Sequence, residues 1–118
     1  MTKVKLSELF YVDDSGIHGK GLFAKKALKK GRYLGTYNGP ETTDLETGGP
    51  HVLWAEQDDG TWLGRDGRNI LRYLNHHHRP TCEFDGFDLY ALRNIPADSE
   101  LTIHYGEEFV EAIKNEEV

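Results

Sequence analysis

The sequence predicts a mainly β domain, with short strands gathered into small sheets and one or two short helices. Three observations carry this expectation. Thirteen glycines in 118 residues suit turns better than a helix bundle, where each interior glycine costs about 1 kcal/mol relative to alanine. The stretch Cys82-Glu83-Phe84, Asp85-Gly86, Phe87-Asp88-Leu89-Tyr90 reads as a β-hairpin around an Asp-Gly pair. Finally, Ala24, Leu28 and Leu34 are spaced as Ala91, Ile95 and Leu101 are, each 67 residues apart. Both stretches read as strand, turn, strand, which suggests two similar β units packed together.

From the N-terminus, Leu6 to Val12 reads as a first strand, ended by the polar cluster Asp13-Asp14-Ser15-Gly16. Ile17 to Ala24 follows as an extended segment interrupted by Gly19 and Gly21. Arg32 to Tyr37 carries residues that fit a pleated surface, and Asn38-Gly39-Pro40 breaks it. Glu41 to Pro50 is polar and reads as a loop. His51 to Ala55 and Thr61 to Leu63 read as two short strands around Asp58-Asp59-Gly60. Asn69 to Leu74 fits a turn or two of helix, and the Cys82–Tyr90 hairpin comes next. Leu101 to Tyr105 is a final strand. A short C-terminal helix is expected across 107–116, with Phe109, Val110 and Ile113 on one side and Glu107 and Glu108 suiting its first turn.

Composition excludes several classes. No stretch approaches the ~18 apolar residues needed to span a bilayer, and Met1 to Leu6 lacks the hydrophobic centre of a signal peptide. A single cysteine, Cys82, makes neither an internal disulfide nor a cysteine-rich zinc cluster, so an intracellular, reduced setting is expected. The formal net charge of −6 argues against nucleic acid as the main ligand, because phosphate binding needs a concentrated positive face. The basic run Lys25, Lys26, Lys29, Lys30 and Arg32 reads as a solvated surface turn. An acidic chain suits a basic protein or peptide partner by steering their encounter.

Three separated segments carry the chemistry. The first is Gly19-Lys20-Gly21-Leu22-Phe23-Ala24, followed by Tyr37-Asn38-Gly39. The second is Arg72-Tyr73-Leu74-Asn75-His76, with Pro80 beyond. The third is Glu100-Leu101-Thr102-Ile103-His104-Tyr105-Gly106. Singly each has a bland explanation as turn, helix stop or packing. In this order, they resemble the SET domain family of protein lysine methyltransferases over roughly Tyr11 to Glu107. The chain departs from the common pattern in places. His77-His78 stand where many relatives have Ser-Cys, and Thr81 replaces an asparagine. Ile103 and His104 replace an aromatic residue and an aspartate, and the cysteine-rich flanking segments are missing.

The resemblance implies a single SET domain of β-clip fold over residues 1–118, its core about 11–107. It also implies S-adenosylmethionine as cofactor and a protein or peptide lysine, in a histone or another basic protein, as methyl acceptor. Lys20, Gly21, Leu22, Arg72, Asn75, His76 and Tyr105 are then the candidate cofactor-binding residues. Gly19 and Gly21 would let backbone approach the cofactor closely, and Arg72 is expected to anchor the local structure through a carboxylate. Tyr105 and Tyr37 are the candidate catalytic residues, and Tyr37 and Ile103 the candidate lining of the lysine channel. No membrane and no direct nucleic-acid partner are expected. A homodimer is one way to close the channel.

Other readings are weighed beside this one. His76-His77-His78 invites a metal, but adjacent histidines point in different directions, and no metal is expected. A catalytically inactive SET-like interaction module would keep the fold and lose the chemistry. A nonspecific nucleic-acid binder would use the Lys25–Arg32 run.

Overall fold

The computed structural model describes residues 5–44 and 52–104. The chain begins with one helical turn, α1 (Leu6–Leu9), and only then enters β1 (Phe10–Asp14). The expected strand from Leu6 gives way to helix because a helical turn puts Leu6 and Leu9 on one side. Leu9 is buried, and Leu6 lies over the α-carbon of Gly35. Lys25 holds the turn from outside, donating from Nζ to the carbonyl of Ser7 at 2.6 Å. The strand runs on through Asp13 and Asp14, which pair with Gly21 and Lys20 of β2 (Lys20–Ala24). The turn therefore falls at residues 15–19.

The remaining strands are β3 (Tyr33–Thr36), β4 (Glu41–Thr42), β5 (Val52–Glu56), β6 (Trp62–Asp66), β7 (Asn75–His76), β8 (Cys82–Asp85), β9 (Asp88–Ala91) and β10 (Glu100–Ile103). A 3₁₀ turn, Ile70–Tyr73, precedes β7, and Asn69 caps it by accepting from the Leu71 amide at 3.2 Å. The hairpin at 82–91 has its loop one residue later than the Asp-Gly pair suggests. Asp85 pairs with Asp88, so Gly86 and Phe87 are the central residues. Only Gly86 has positive φ (63°), the requirement of a II′ turn rather than a I′ turn.

Three sheets result, in the orders β1-β2-β10-β7, β3-β9-β8 and β4-β6-β5. In the first, β10 lies between antiparallel β2 and parallel β7. The expected mainly β architecture is what the structure displays.

The 67-residue spacing has a structural counterpart. Leu28 and Ile95 exchange both backbone hydrogen bonds at 2.8 Å. Around them the bonds repeat: Ala24 N donates to Ser99 O and Ala91 N to Arg32 O, both at 3.0 Å. Likewise Asp98 N donates to Ala24 O (2.7 Å) and Gly31 N to Ala91 O (2.8 Å). Each unit turns through an i to i+3 bond, Arg32 N to Lys29 O and Ser99 N to Pro96 O. Each also has positive φ at the third turn residue, 85° at Gly31 and 65° at Asp98. This is an approximate twofold through the Leu28–Ile95 pair. All six echo residues, Ala24, Leu28, Leu34, Ala91, Ile95 and Leu101, are buried in one hydrophobic cluster. Cys82 shares that cluster, and burial pushes its thiol up to about 11.

Candidate active site

The first and third motif segments meet where β2 lies against β10. The connection from β1 to β2 closes on itself, Ser15 N donating to Gly19 O at 2.8 Å. The Ser15 hydroxyl accepts from the amides of Ile17 (2.9 Å) and His18 (3.3 Å) and lies 2.8 Å from both carboxylate oxygens of Glu100. Asn75, on β7, completes the arrangement. Its amide nitrogen lies 3.1 Å from the carbonyls of His18 and Lys20, 3.0 Å from Glu100 Oε2 and 3.2 Å from Ser15 Oγ. An amide carries two protons, so four acceptors share them, and Asn75 is 8% exposed. Hydrogen bonds this shielded, with a charged acceptor among them, are among the stronger ones available to a fold.

The glycines have separate reasons. A Cβ on Gly21 would stand 2.5 Å from Glu100 Oε2. A side chain on Gly21 would crowd the carboxylate of the third motif, a reason for glycine that stands beside the close approach of a cofactor expected from the sequence. Gly19 has φ of 49° and open space beside it. The left-handed backbone requires it there, and its open side leaves the loop accessible.

On β7, His76 pairs with Ile103 of β10 in the parallel ladder, and His77 N donates to Ile103 O at 3.0 Å. The rings of His76 and His104 meet edge to face at 4.7 Å, while His77 and His78 stack on each other at 4.6 Å. Among the described residues no group of three His, Cys, Asp or Glu side chains could hold a metal ion. Thr81, the replacement for asparagine, bonds reciprocally with Thr102: Thr81 N to Thr102 Oγ1 at 3.1 Å and Thr102 N to Thr81 Oγ1 at 3.0 Å. It ties the segment after the histidines to β10.

Two cations border this region. Lys20 Nζ meets Asp14 Oδ1 at 2.6 Å. Hydrogen bonding to Lys20, with its positive charge, lowers the Asp14 carboxyl, and the same bond to Asp14 raises Lys20. Arg72 donates to the carbonyls of Arg68 (3.1 Å) and Asn69 (2.9 Å) and to the Tyr73 hydroxyl (3.0 Å). Its anchors are carbonyls and a phenol rather than the expected carboxylate, and it braces the 3₁₀ turn leading to Asn75.

Lys20, Gly21, Leu22, Asn75, His76 and Ile103 are therefore gathered on the adjoining strands β2, β10 and β7, with Arg72 on the turn before β7. Tyr37 lies on a different strand segment, just past β3, and shares the buried cluster with Leu22 and Ile103. It is 5% exposed, packed edge to face on Phe84 with ring centres 5.7 Å apart, its hydroxyl over the α-carbon of Gly67. Arg65 fastens the β4-β6-β5 sheet to it, donating to Tyr37 O at 3.1 Å while stacking on Phe87 at 4.1 Å. Gly39 is needed because the Asp66 carbonyl passes where its Cβ would be. Tyr105 and the helix expected across 107–116 lie outside the described residues.

Sequence reasoning missed Ser15 and the part played by Glu100, although Glu100 opens the third motif. Gly67, which makes room for Tyr37, was missed as well. The site's chemistry is acceptor-rich: the His18 and Lys20 carbonyls and the Glu100 carboxylate lie together. Each carbonyl has two lone pairs, and the two protons of Asn75 leave some of them open. Such a set suits a cationic amine or sulfonium, and the charge of the bordering Lys20 is already paired with Asp14.

A family model, the SET domain, matches residues 19–106. The Arabidopsis thaliana histone-lysine N-methyltransferase MEDEA is 30% identical over 106 residues, covering 82% of this chain and 15% of that protein. The histone-lysine N-methyltransferases of mouse and human described as H3 lysine-36 specific are 31% identical over 107 residues, covering 74% of the chain and 4% of theirs. The chain thus spans a small part of the curated relatives it matches. Among solved structures, a candidate histone methyltransferase of Plasmodium falciparum aligns with a TM-score of 0.66 at 18% identity, covering 91% of this chain and 96% of that one. That likeness concerns the fold.

Proposed function

Because the chain belongs to the SET domain family, matched over residues 19–106, we propose that it is a protein-lysine N-methyltransferase using S-adenosylmethionine. The observation that supports this best is the junction at Asn75. One buried amide ties the Gly19-Lys20-Gly21 loop, the Asn75-His76 strand and Glu100 of the third segment into a single unit. A structural turn alone has no need to bring three separated segments to one carboxylate.

The residues present fit the cofactor. The His18 and Lys20 carbonyls and Glu100 are suited to its ammonium and sulfonium charges. The open side of Gly19 leaves the loop free to be approached. When bound, S-adenosylmethionine supplies an electrophilic methyl group. Asn75 acts on the loop, holding its carbonyls in place, and His76 contributes backbone and ring beside it.

The acceptor amine must arrive neutral, and free lysine titrates near about 10.4. Apolar surroundings disfavour the charged form, and buried Ile103 and Tyr37 are the proposed channel lining. No strong general base is then required, and positioning supplies much of the rate. Tyr105 is the proposed catalytic hydroxyl, orienting the amine. Ile103 is smaller than an aromatic residue and leaves space for an amine that already carries a methyl group. The acidic chain suits a basic acceptor protein, a histone among them.

Calorimetric titration with S-adenosylmethionine is the direct test, with His76→Ala as a folded comparison. One-to-one binding that weakens in the variant, with methyl transfer to histone lysines lost in Tyr105→Phe, is the expected result. A folded protein that binds no cofactor would replace this reading with an interaction module.

A further inference from the structure

Over the twofold pair Leu28–Ile95, each 1% exposed, lies a shallow depression of roughly 360 Å³ lined by Ala27, Leu28, Lys29, Asn94, Ile95 and Pro96. Its floor is apolar. Lys29 stands in its lining, the basic run Lys25, Lys26, Lys29, Lys30 and Arg32 surrounds that residue along the chain, and Arg93 adjoins the lining residue Asn94. Lys30 N donates to Asn94 Oδ1 at 2.9 Å, fixing the two edges together. All six cations are exposed. Among the described residues Lys5, Lys20, Arg65 and Arg68 form ion pairs, whereas none of the six does. The one acid in stretches 25–32 and 93–99, Asp98, accepts from the Tyr11 hydroxyl at 2.9 Å. A chain of net charge −6 thus concentrates positive charge on one face, and none of the candidate site residues lies there.

We infer that this face docks an acidic protein segment carrying an apolar anchor residue. Charge complementarity selects an anionic partner. The floor decides its class: an aliphatic or aromatic side chain between carboxylates would fill the depression and meet the rim together. A nucleic-acid backbone would engage the rim and leave the apolar floor uncovered. Because Leu28 and Ile95 satisfy each other's backbone groups, the docking is through side chains and not by strand addition. This inference does not depend on the methyltransferase reading.

The test uses the full chain and a fluorescein-labelled peptide of repeating Glu-Glu-Leu, read by anisotropy at low salt. Two competitors are a Glu-Glu-Ser peptide of the same charge and a short DNA duplex. The expected order is Glu-Glu-Leu first, Glu-Glu-Ser weaker by about fivefold through loss of the buried leucine, and duplex weakest. Lys26→Glu combined with Lys30→Glu should weaken the Glu-Glu-Leu peptide by about tenfold or more. Ala27→Glu, which puts a carboxylate at the floor, should do the same, with circular dichroism unchanged in both variants. A duplex that binds more tightly than the peptide would make the face a nucleic-acid surface. Equal binding by the two peptides, or by wild type and the rim variant, would also overturn the inference.

Discussion

The two units related by the Leu28–Ile95 axis share a backbone and differ in what they carry. In the first, the turn is Lys29-Lys30-Gly31-Arg32 and the strand after it ends beside buried Tyr37. In the second, the turn is Pro96-Ala97-Asp98-Ser99 and the strand opens with Glu100, the acceptor for Ser15 and Asn75. Tyr33 holds the place of Glu100 in the first unit and bonds only locally, with Thr36. The difference teaches that the fold's repeated part is its core. The proposed chemistry lies where one of the two units carries a carboxylate facing Gly21.

The largest test of that division is in the core. Leu34 and Leu101 are both 0% exposed, so Leu34→Ala and Leu101→Ala should each cost about 2–5 kcal/mol in urea unfolding. A costly substitution in one unit and a mild one in the other would break the equivalence. Next comes the site. Glu100→Ala should weaken S-adenosylmethionine binding about tenfold to a hundredfold, since bonds to charged groups contribute about 1.5–3 kcal/mol. Tyr33→Phe should leave it within about twofold. Calorimetry on both variants separates a carboxylate with a particular task from a generic strand position.

A smaller effect distinguishes the turns. Gly31→Ala forces an alanine into positive φ and should destabilise the chain by about 1 kcal/mol, measured by urea unfolding. Asp98→Asn should be tolerated, because asparagine accepts that conformation. The smallest effect is the titration of Tyr11. Its bond to Asp98, together with that residue's negative charge, raises the phenol above its ordinary value. The folded phenol therefore holds its proton more tightly than the unfolded one. Its contribution to stability is complete below about pH 10 and is lost as pH rises through the folded value. Asp98→Asn should bring the phenol back toward the ordinary range in an ultraviolet pH titration.

These contrasts also mark how far the sequence could be read. The 67-residue echo was legible because burial on both units left the same apolar types at the same spacing. The motif order was legible too. The loop position at Gly86-Phe87 was not, since Asp-Gly favours a I′ turn locally while the pairing of Asp85 with Asp88 sets the register. The helical turn at Leu6–Leu9 was hidden because its cause, contact with Gly35, lies far along the chain. The same holds for Gly21 and Asn75. Each was identified by its motif, but its physical task depends on Glu100, and no local pattern announces a contact across that distance.

The place of β10 also bears on when the protein becomes competent. This strand is the last one described, yet it lies between β2 and β7 and supplies Glu100. The β1–β2 hairpin and its glycine loop can close from neighbouring residues, but the loop's ties to Glu100 wait until the chain through Glu100 has been made and inserted. Pairing of such sequence-distant strands is slow compared with local closure. The Asn75 strand and the carboxylate should therefore join the loop in one late step. A nascent or truncated chain lacking β10 would then keep the self-closed loop but lack the carboxylate and the strand against which β7 pairs.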